Sequence, residues 1–195
     1  RSPSPEGAAV VAEIEARGVK GMLIEGDLSN EDSIRGIFTR VAEFLGPMTG
    51  LVNCASLFEW DDINSVSYKS ILDHSSTNLA GPLILTSDLI TYLKENSVGN
   101  GTGCIVNVLD QKLASPNGDH LSYTVSKYAL EGATRALSRS LAPIARINAV
   151  SPGHTLQSTE QTDRGFALAQ SQSPLGYGPT PEDIAQTVIL YFSVP

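Results

Sequence analysis

Gly103-Cys104-Ile105-Val106-Asn107-Val108-Leu109-Asp110 is the stretch whose reading decides the fold. A short apolar run bounded by Asn100-Gly101-Thr102 on one side and a carboxylate on the other reads as a buried strand. Behind it, Tyr123 and Lys127 stand four apart in a segment, Ser122 to Leu141, that reads as a helix with small residues (Ala129, Gly132, Ala133) on one side. On a helix the phenol and the ammonium share a face. An ammonium near a phenol stabilises the phenolate and lowers its pKa. A tyrosine tuned in that way can exchange protons near neutral pH as a general acid–base group. Asp110, at the end of the strand, would point a carboxyl at the same space. Tyr-x-x-x-Lys is also a common pair on solvated helices, so its neighbours have to give it meaning.

Working outward, Glu6 to Arg17 has helical apolar spacing (Ala9, Val10, Ile14) and stops at Gly18. Gly21 to Asp27 reads as a short buried strand. Asn30 can cap the following helix, whose apolar stripe is Ile34, Ile37, Phe38, Val41 and Phe44, ended by Gly46-Pro47. Gly50 to Ala55 reads as a second strand. Ser67 to Leu93 is mostly helical, with a break or kink near Pro82. Arg146 to Val150 is a fourth strand, and Pro181 suits the first position of a last helix. Strands alternating with helices predict one α/β domain over residues 1–195, a doubly wound parallel sheet between two helical layers. In such sheets ligands lie beyond the carboxyl ends of the strands. The ends of three strands, at Asn53-Cys54-Ala55, Asp110 and Pro152-Gly153, fall on that edge.

Composition narrows the function classes. The 195 residues include 41% hydrophobic and 17% charged, enough for a core. Lys+Arg 13 against Asp+Glu 21 gives a net charge of -8. No basic stripe is present, so nucleic acid is an unexpected partner. The longest apolar runs are strand-length, and no membrane span is expected. Cys54 and Cys104 read as reduced thiols of a reducing compartment, the cytoplasm, rather than a disulfide or metal site. His74, His120 and His154 lack metal-ligand spacing, and no metal is expected.

Four blocks occur in a telling order: Leu51-Val52-Asn53-Cys54-Ala55-Ser56, Asn78-Leu79-Ala80-Gly81-Pro82, Tyr123 with Lys127, and Arg146-Ile147-Asn148-Ala149-Val150-Ser151-Pro152-Gly153. Together they resemble the short-chain dehydrogenase/reductase family over essentially the whole chain. The resemblance implies a Rossmann-like fold and an NAD(P)-dependent oxidoreductase acting on a small molecule. It also implies a homo-oligomer, tetramer or dimer, packed through the helices carrying Asn78 and Tyr123. It places Arg1-Ser2 just after a second strand, so a strand, a Gly-rich helix and another strand are expected before Arg1, and a last strand after Pro195.

By resemblance, Tyr123 is the proton donor, and Lys127 lowers its pKa and holds the nicotinamide ribose. Asn78 anchors a water of the proton relay; a residue that merely caps or bends its helix is the plainer reading. Asn53, Ala55 and Ser56 lie in the turn expected along the cofactor, with Asn53 and Ala55 lining the adenosine ribose. Asp27 and Leu28 end a strand at the adenine pocket, although Asp27 alone suits a turn or a helix cap equally. Pro152, Gly153 and Thr155 cradle the carboxamide and phosphates. Arg1 and Ser2 would sit where a 2′-phosphate lies, with no ribose-binding acid in view, which favours NADP over NAD. Leu156 to Tyr177, rich in Gln, Ser and Gly, suits a mobile lid or a passive loop.

Two departures bear on the substrate. The family usually has Asn-Asn-Ala-Gly where this chain has Asn53-Cys54-Ala55-Ser56, and Ser where it has Asp110. An ionised aspartate only accepts hydrogen bonds. Asp110 therefore suits a substrate offering N–H donors, such as an amino-heterocycle reduced at a C=N bond. The pteridine reductase branch looks like this, with an aspartate thirteen residues before its tyrosine, as Asp110 is before Tyr123. It also carries an aromatic ring that stacks on the pterin; Phe58 fits, with Trp60 close by. Two other readings stay open: a carbonyl or alcohol substrate with Phe58 packing in the core, and a dinucleotide-binding protein without turnover.

Overall fold

The computed structural model describes residues 5–158 and 161–193. Three parallel strands, β1 (Gly50–Asn53), β2 (Gly103–Val108) and β3 (Ala145–Val150), form one sheet in the order β1-β2-β3. Gly50 stands opposite Cys104, and Gly103 opposite Ala145, so all three strands end at the same edge. The helices are α1 (Pro5–Ala16), α2 (Glu31–Ile34), α3 (Ile37–Leu45), α4 (Tyr68–Ser75), α5 (Gly81–Glu95), α6 (Leu121–Ser140), α7 (Asp163–Ser171) and α8 (Pro181–Ser193).

The pleat of β2 sorts the layers, because alternate side chains leave opposite faces. Ile105 and Asn107 face α5 and α6: Ile105 joins Leu89, Leu93 and Ile147 in the main core, and Asn107 bonds Thr134 of α6. Cys104 faces the other way and its thiol approaches the carbonyl of Tyr191 in α8 at 3.3 Å. The result is the expected three-layer α/β/α arrangement. Ile105 and Val106 are fully buried, as a strand covered on both sides requires.

The structure corrects the sequence reading in four places. Gly21 to Asp27 has no regular structure and pairs with no strand among the described residues, and Met22 and Leu23 are exposed. A strand needs a bonded neighbour, which residue propensity cannot supply. The single helix expected after Asn30 is two, α2 and α3, because Gly36 takes a left-handed conformation (φ 72°). There the carboxylate of Asp88, from α5, receives the N–H groups of Gly36 and Phe38 and caps α3 from outside. Phe44, assigned to the buried stripe, is exposed. The second strand ends at Asn53, releasing Cys54 and Ala55 into the loop.

Near Pro82 the helix widens. Residues Ser76–Ala80 form a π-helical turn in which the N–H of Gly81 donates to the carbonyl of Ser76, five residues back. Proline has no N–H for the carbonyl of Asn78, four residues earlier, and the wider turn absorbs that loss. Gly81 is required here: a Cβ would stand 2.7 Å from the backbone oxygen of Leu28.

Candidate active site

The three strand ends meet the N-terminal turns of α6. His120, in the left-handed region (φ 46°), precedes α6 and supplies no side-chain cap. The cap comes from 61 residues away. Asp61, almost fully buried, accepts from the N–H of Ser122 at 2.9 Å and from its hydroxyl, and its carbonyl accepts from the N–H of Leu121. Burial works against the charge of Asp61, but these Ser122 donors win and hold its carboxyl below the usual range. The loop between β1 and α4 is thereby tied to the turn that carries Tyr123.

Asp110 stands where the sequence puts it, at the end of β2. Its Oδ1 accepts from the N–H of Lys112, starting a 3-10 turn over Gln111–Leu113. Its Oδ2 accepts from the phenol of Tyr123 at 2.7 Å. Lys127 is buried; its Nζ donates to the carbonyl of Val108 at 2.8 Å and lies 5.7 Å from the Tyr123 ring centroid. The structure therefore reverses the expectation of a lowered phenol pKa. Burial first, then the charge and hydrogen bond of Asp110, push the Tyr123 phenol well above its ordinary value. The carboxylate touches the hydroxyl, whereas the ammonium is bonded to the carbonyl of Val108. Burial pulls Lys127 itself below its ordinary value, opposed by the charge of Asp110.

Asp110 and Tyr123 border a cavity of about 870 Å³ whose walls also include Phe58, His120, Gly153 and Leu156; Lys127 is buried behind it. Phe58 is half exposed rather than core. Its ring meets Tyr123 edge-on (centroids 4.7 Å, 88°) and stacks on His120 (4.1 Å, 14°). Trp60 is exposed and is not part of this wall. Lys112 also borders the cavity, its ammonium bonded to the Asp119 carboxylate and carbonyl.

Asn78 is buried and its amide is fully engaged. Its oxygen accepts from the N–H of Leu57 at 2.7 Å and from the Ser56 hydroxyl; its nitrogen donates to the carbonyl of Leu57 and the hydroxyl of Ser126. The side chain thus pins the loop after β1 to α6. The amide expected to anchor a water of the relay is therefore already occupied by protein partners. Ser56 is tied into the same knot, and Ala55 is exposed beside it.

Asn53 departs from its expected place. Its side chain is buried and donates to Oδ1 of Asn107 at 2.8 Å, while Asn107 donates to the hydroxyl of Thr134, also at 2.8 Å. That bond ties its amide nitrogen into the sheet interior. Asp27 makes a tight turn, its carboxylate accepting from the N–H and hydroxyl of Ser29, and Leu28 packs against Gly81. Thr155 donates to the carbonyl of Gly153, and Pro152 accepts from the N–H of Gln111, holding that turn beside Asp110. The segment beyond it is partly helical, as α7, and Gln170 donates to the carbonyl of His154. Arg1 and Ser2 lie outside the described residues.

Asp61, His74, His120 and Lys112 were not foreseen as part of this neighbourhood. Asp61 and His120 act on partners 61 residues away and His74 on Glu59, so no local signal marks them, while Lys112 meets Asp119 only across a nearby loop. No group of His, Cys, Asp and Glu suited to a metal occurs among the described residues, and no helix among them is long and apolar enough to cross a membrane.

A parallel sheet whose strand ends set a tyrosine and a carboxylate on one cavity, with a buried lysine one helical turn after the tyrosine, defines a dehydrogenase-type site. A family model described as enoyl-(acyl carrier protein) reductase matches residues 3–193. The crystal structure of FolM alternative dihydrofolate reductase 1 from Brucella canis, complexed with NADP, superposes with a TM-score of 0.89 at 33% identity, over 97% of this chain and 73% of that one. The oxidoreductase YjdA of Bacillus subtilis is 29% identical over 90% of this chain and 69% of its own length. The 3-oxoacyl-[acyl-carrier-protein] reductase FabG of Aquifex aeolicus is 28% identical over 97% and 77%. The chain belongs to the short-chain dehydrogenase/reductase family, a family of NAD(P)-dependent oxidoreductases.

Proposed function

We propose that the protein is an NADPH-dependent reductase of a pterin-like or related amino-heterocycle, reducing a C=N bond with Tyr123 as proton donor. The observation that carries this reading is the carboxylate of Asp110 on the phenol of Tyr123, 2.7 Å away, in a cavity walled by Phe58. A carboxylate there repels a developing oxyanion. It accepts well from ring N–H and amino groups. The raised pKa of Tyr123 keeps its proton in place until a ring nitrogen takes it. Complexes with NADP among the structural neighbours, FolM included, support both the cofactor and the substrate class.

The donor set fits the nicotinamide end of such a cofactor. An ammonium has three N–H donors, and Lys127 gives one to Val108, which leaves two for a ribose diol. When bound, NADPH supplies a hydride. The chain's residues do the rest. Tyr123 passes its phenolic proton to the substrate nitrogen, and Lys127 stabilises the phenolate left behind. Asp110 orients the substrate through its N–H groups, and Gly153 and Thr155 would hold the carboxamide of the cofactor. Asn78 keeps the loop of Ser56 and Leu57 against α6.

A carbonyl substrate is the second reading, favoured by the likeness to 3-oxoacyl reductases. NADPH consumption by the complete polypeptide, with dihydrobiopterin and dihydrofolate beside simple ketones and a 3-oxoacyl thioester, decides between the two. Turnover of ketones with none of dihydropterins would sink the first.

A further inference from the structure

We propose that His74 and His120 are a pair of positioning residues that clamp the Glu59 peptide and thereby hold Phe58 against Tyr123. The proposal rests on Phe58 being the substrate wall, as inferred above, and adds two residues to which that reading gives no role. The loop between β1 and α4 has no regular structure around Phe58, and a half-exposed ring on such a loop would otherwise swing freely.

The clamp has two jaws. The N–H of Glu59 donates to Nε2 of His74 at 3.3 Å. That nitrogen must therefore be unprotonated, so Nδ1 carries the proton and donates to the carbonyl of Ser70 at 2.7 Å. His74 is completely buried, and this single neutral tautomer satisfies both of its nitrogens. On the other side of the same peptide, the carbonyl of Glu59 accepts from Nδ1 of His120 at 3.1 Å. A carbonyl only accepts, so His120 is protonated at Nδ1. The His120 ring then lies flat on Phe58, 4.1 Å away, and the rings of Phe58 and Tyr123 meet at right angles.

His120 adopts a left-handed backbone (φ 46°) at the residue before α6. A non-glycine residue there bears a conformational cost and gives up the ordinary cap, and Asp61 supplies that cap instead. The conformation sets the imidazole where it meets both the Glu59 carbonyl and the Phe58 face. One face of Phe58 is thus taken by His120, and the ring's orientation is fixed before any substrate arrives.

A double-mutant cycle in the complete polypeptide tests the proposal, using His120→Ala, Phe58→Ala and both together. KM and kcat are measured with dihydrobiopterin, and NADPH affinity by fluorescence. His120→Ala should raise KM by roughly 3- to 10-fold, the value of one lost ring contact, with kcat and NADPH affinity nearly unchanged. Adding it to Phe58→Ala should do nothing more. His120→Phe, which keeps a stacked ring, should recover most of the loss. Additive effects, or an unchanged KM in His120→Ala, would overturn the proposal. For the buried jaw, His74→Gln retains an acceptor for Glu59 and should keep KM near the parent value, whereas His74→Leu should raise it. Should His74→Leu fail to fold, the His120 cycle decides.

If the parent reduces a 3-oxoacyl thioester and no dihydropterin, the heterocycle reading has failed, and the same cycle on that thioester still judges the clamp. The stack is also readable without substrate. The His120 ring protons should be shielded by Phe58 in the NMR spectrum and should move downfield in Phe58→Ala. No such movement would sink the proposal outright.

Discussion

The phenol of Tyr123 donates its hydrogen bond to Oδ2 of Asp110, 2.7 Å away, and not toward Lys127. Phenol and carboxylate stand together at the wall of the cavity, while the lysine donates to the carbonyl of Val108. The expected consequences for catalysis start from that arrangement.

Tyr123→Phe removes the proton donor and leaves the ring. Turnover should fall by at least about 100-fold, the usual worth of a positioned general acid, with NADPH affinity nearly unchanged. Lys127→Ala should weaken both turnover and NADPH binding. Steady-state kinetics with a cofactor titration measures the two; equal, mild effects would mean that the pair has no chemical role.

Asp110→Ser separates the substrate classes. With a dihydropterin, loss of the charged acceptor should cost about 2–4 kcal/mol of transition-state stabilisation, roughly 30- to 1,000-fold in kcat/KM. With a ketone, the new hydroxyl donates to the developing oxyanion and activity should hold or rise. A serine variant as active on dihydropterins as the parent would refute the heterocycle reading.

Asp110→Asn isolates the charge. The carboxylate raises the pKa of Tyr123, so its removal must lower it, while burial keeps the phenol above its ordinary value. In an ultraviolet titration against Tyr123→Phe as blank, the Tyr123 phenolate should appear at lower pH in Asp110→Asn than in the parent. An unchanged or higher midpoint would contradict the geometry.

Asp61→Ala removes the cap supplied to α6. It should cost about 1–2 kcal/mol at neutral pH, as for other helix caps with buried partners. The folded carboxyl lies below its unfolded value of 3.8. Its stabilisation is therefore full above that value and lost as pH falls through the folded one. The melting temperatures of parent and variant should differ at pH 7 and converge in strong acid.

Gly81→Ala tests the close approach of α5 to Leu28. A Cβ would stand 2.7 Å from that residue's backbone oxygen and 2.9 Å from its Cβ. Backbone cannot step aside cheaply, so the variant should lose about 1–3 kcal/mol, even though alanine is the better helix former. Chemical denaturation checks the sign.

Much of this was legible from local pattern. The buried run of β2, the spacing of Tyr123 and Lys127 and the position of Asp110 are properties of short segments, and they stand as read. Pro82 announced a disturbed helix, though not a π-turn. What sequence could not give is whatever depends on a distant partner. Gly21 to Asp27 has the residues of a strand and no bonded neighbour strand among the described residues. Asn53 reads as a ligand-facing residue, yet Asn107, one strand over, claims its amide. The phenol pKa was misjudged because spacing along a helix reports the neighbour on that helix, whereas the controlling group arrives from β2. Asp61 and the two histidines of the clamp carry no marker at all.

The run of side chains from Asn53 through Asn107 to Thr134 has a direction. Asn53 gives to Asn107, Asn107 gives to Thr134, and Thr134 gives to the carbonyl of Leu130. Because Asn107 and Thr134 each receive on one side and give on the other, and Asn53 gives to the first of them, none can be exchanged alone without stranding a buried donor or acceptor. The three positions are therefore one hereditary unit: in diverging descendants of this chain, a change at Thr134, on the helix behind the sheet, should be tolerated only alongside a matching change at Asn107 and Asn53.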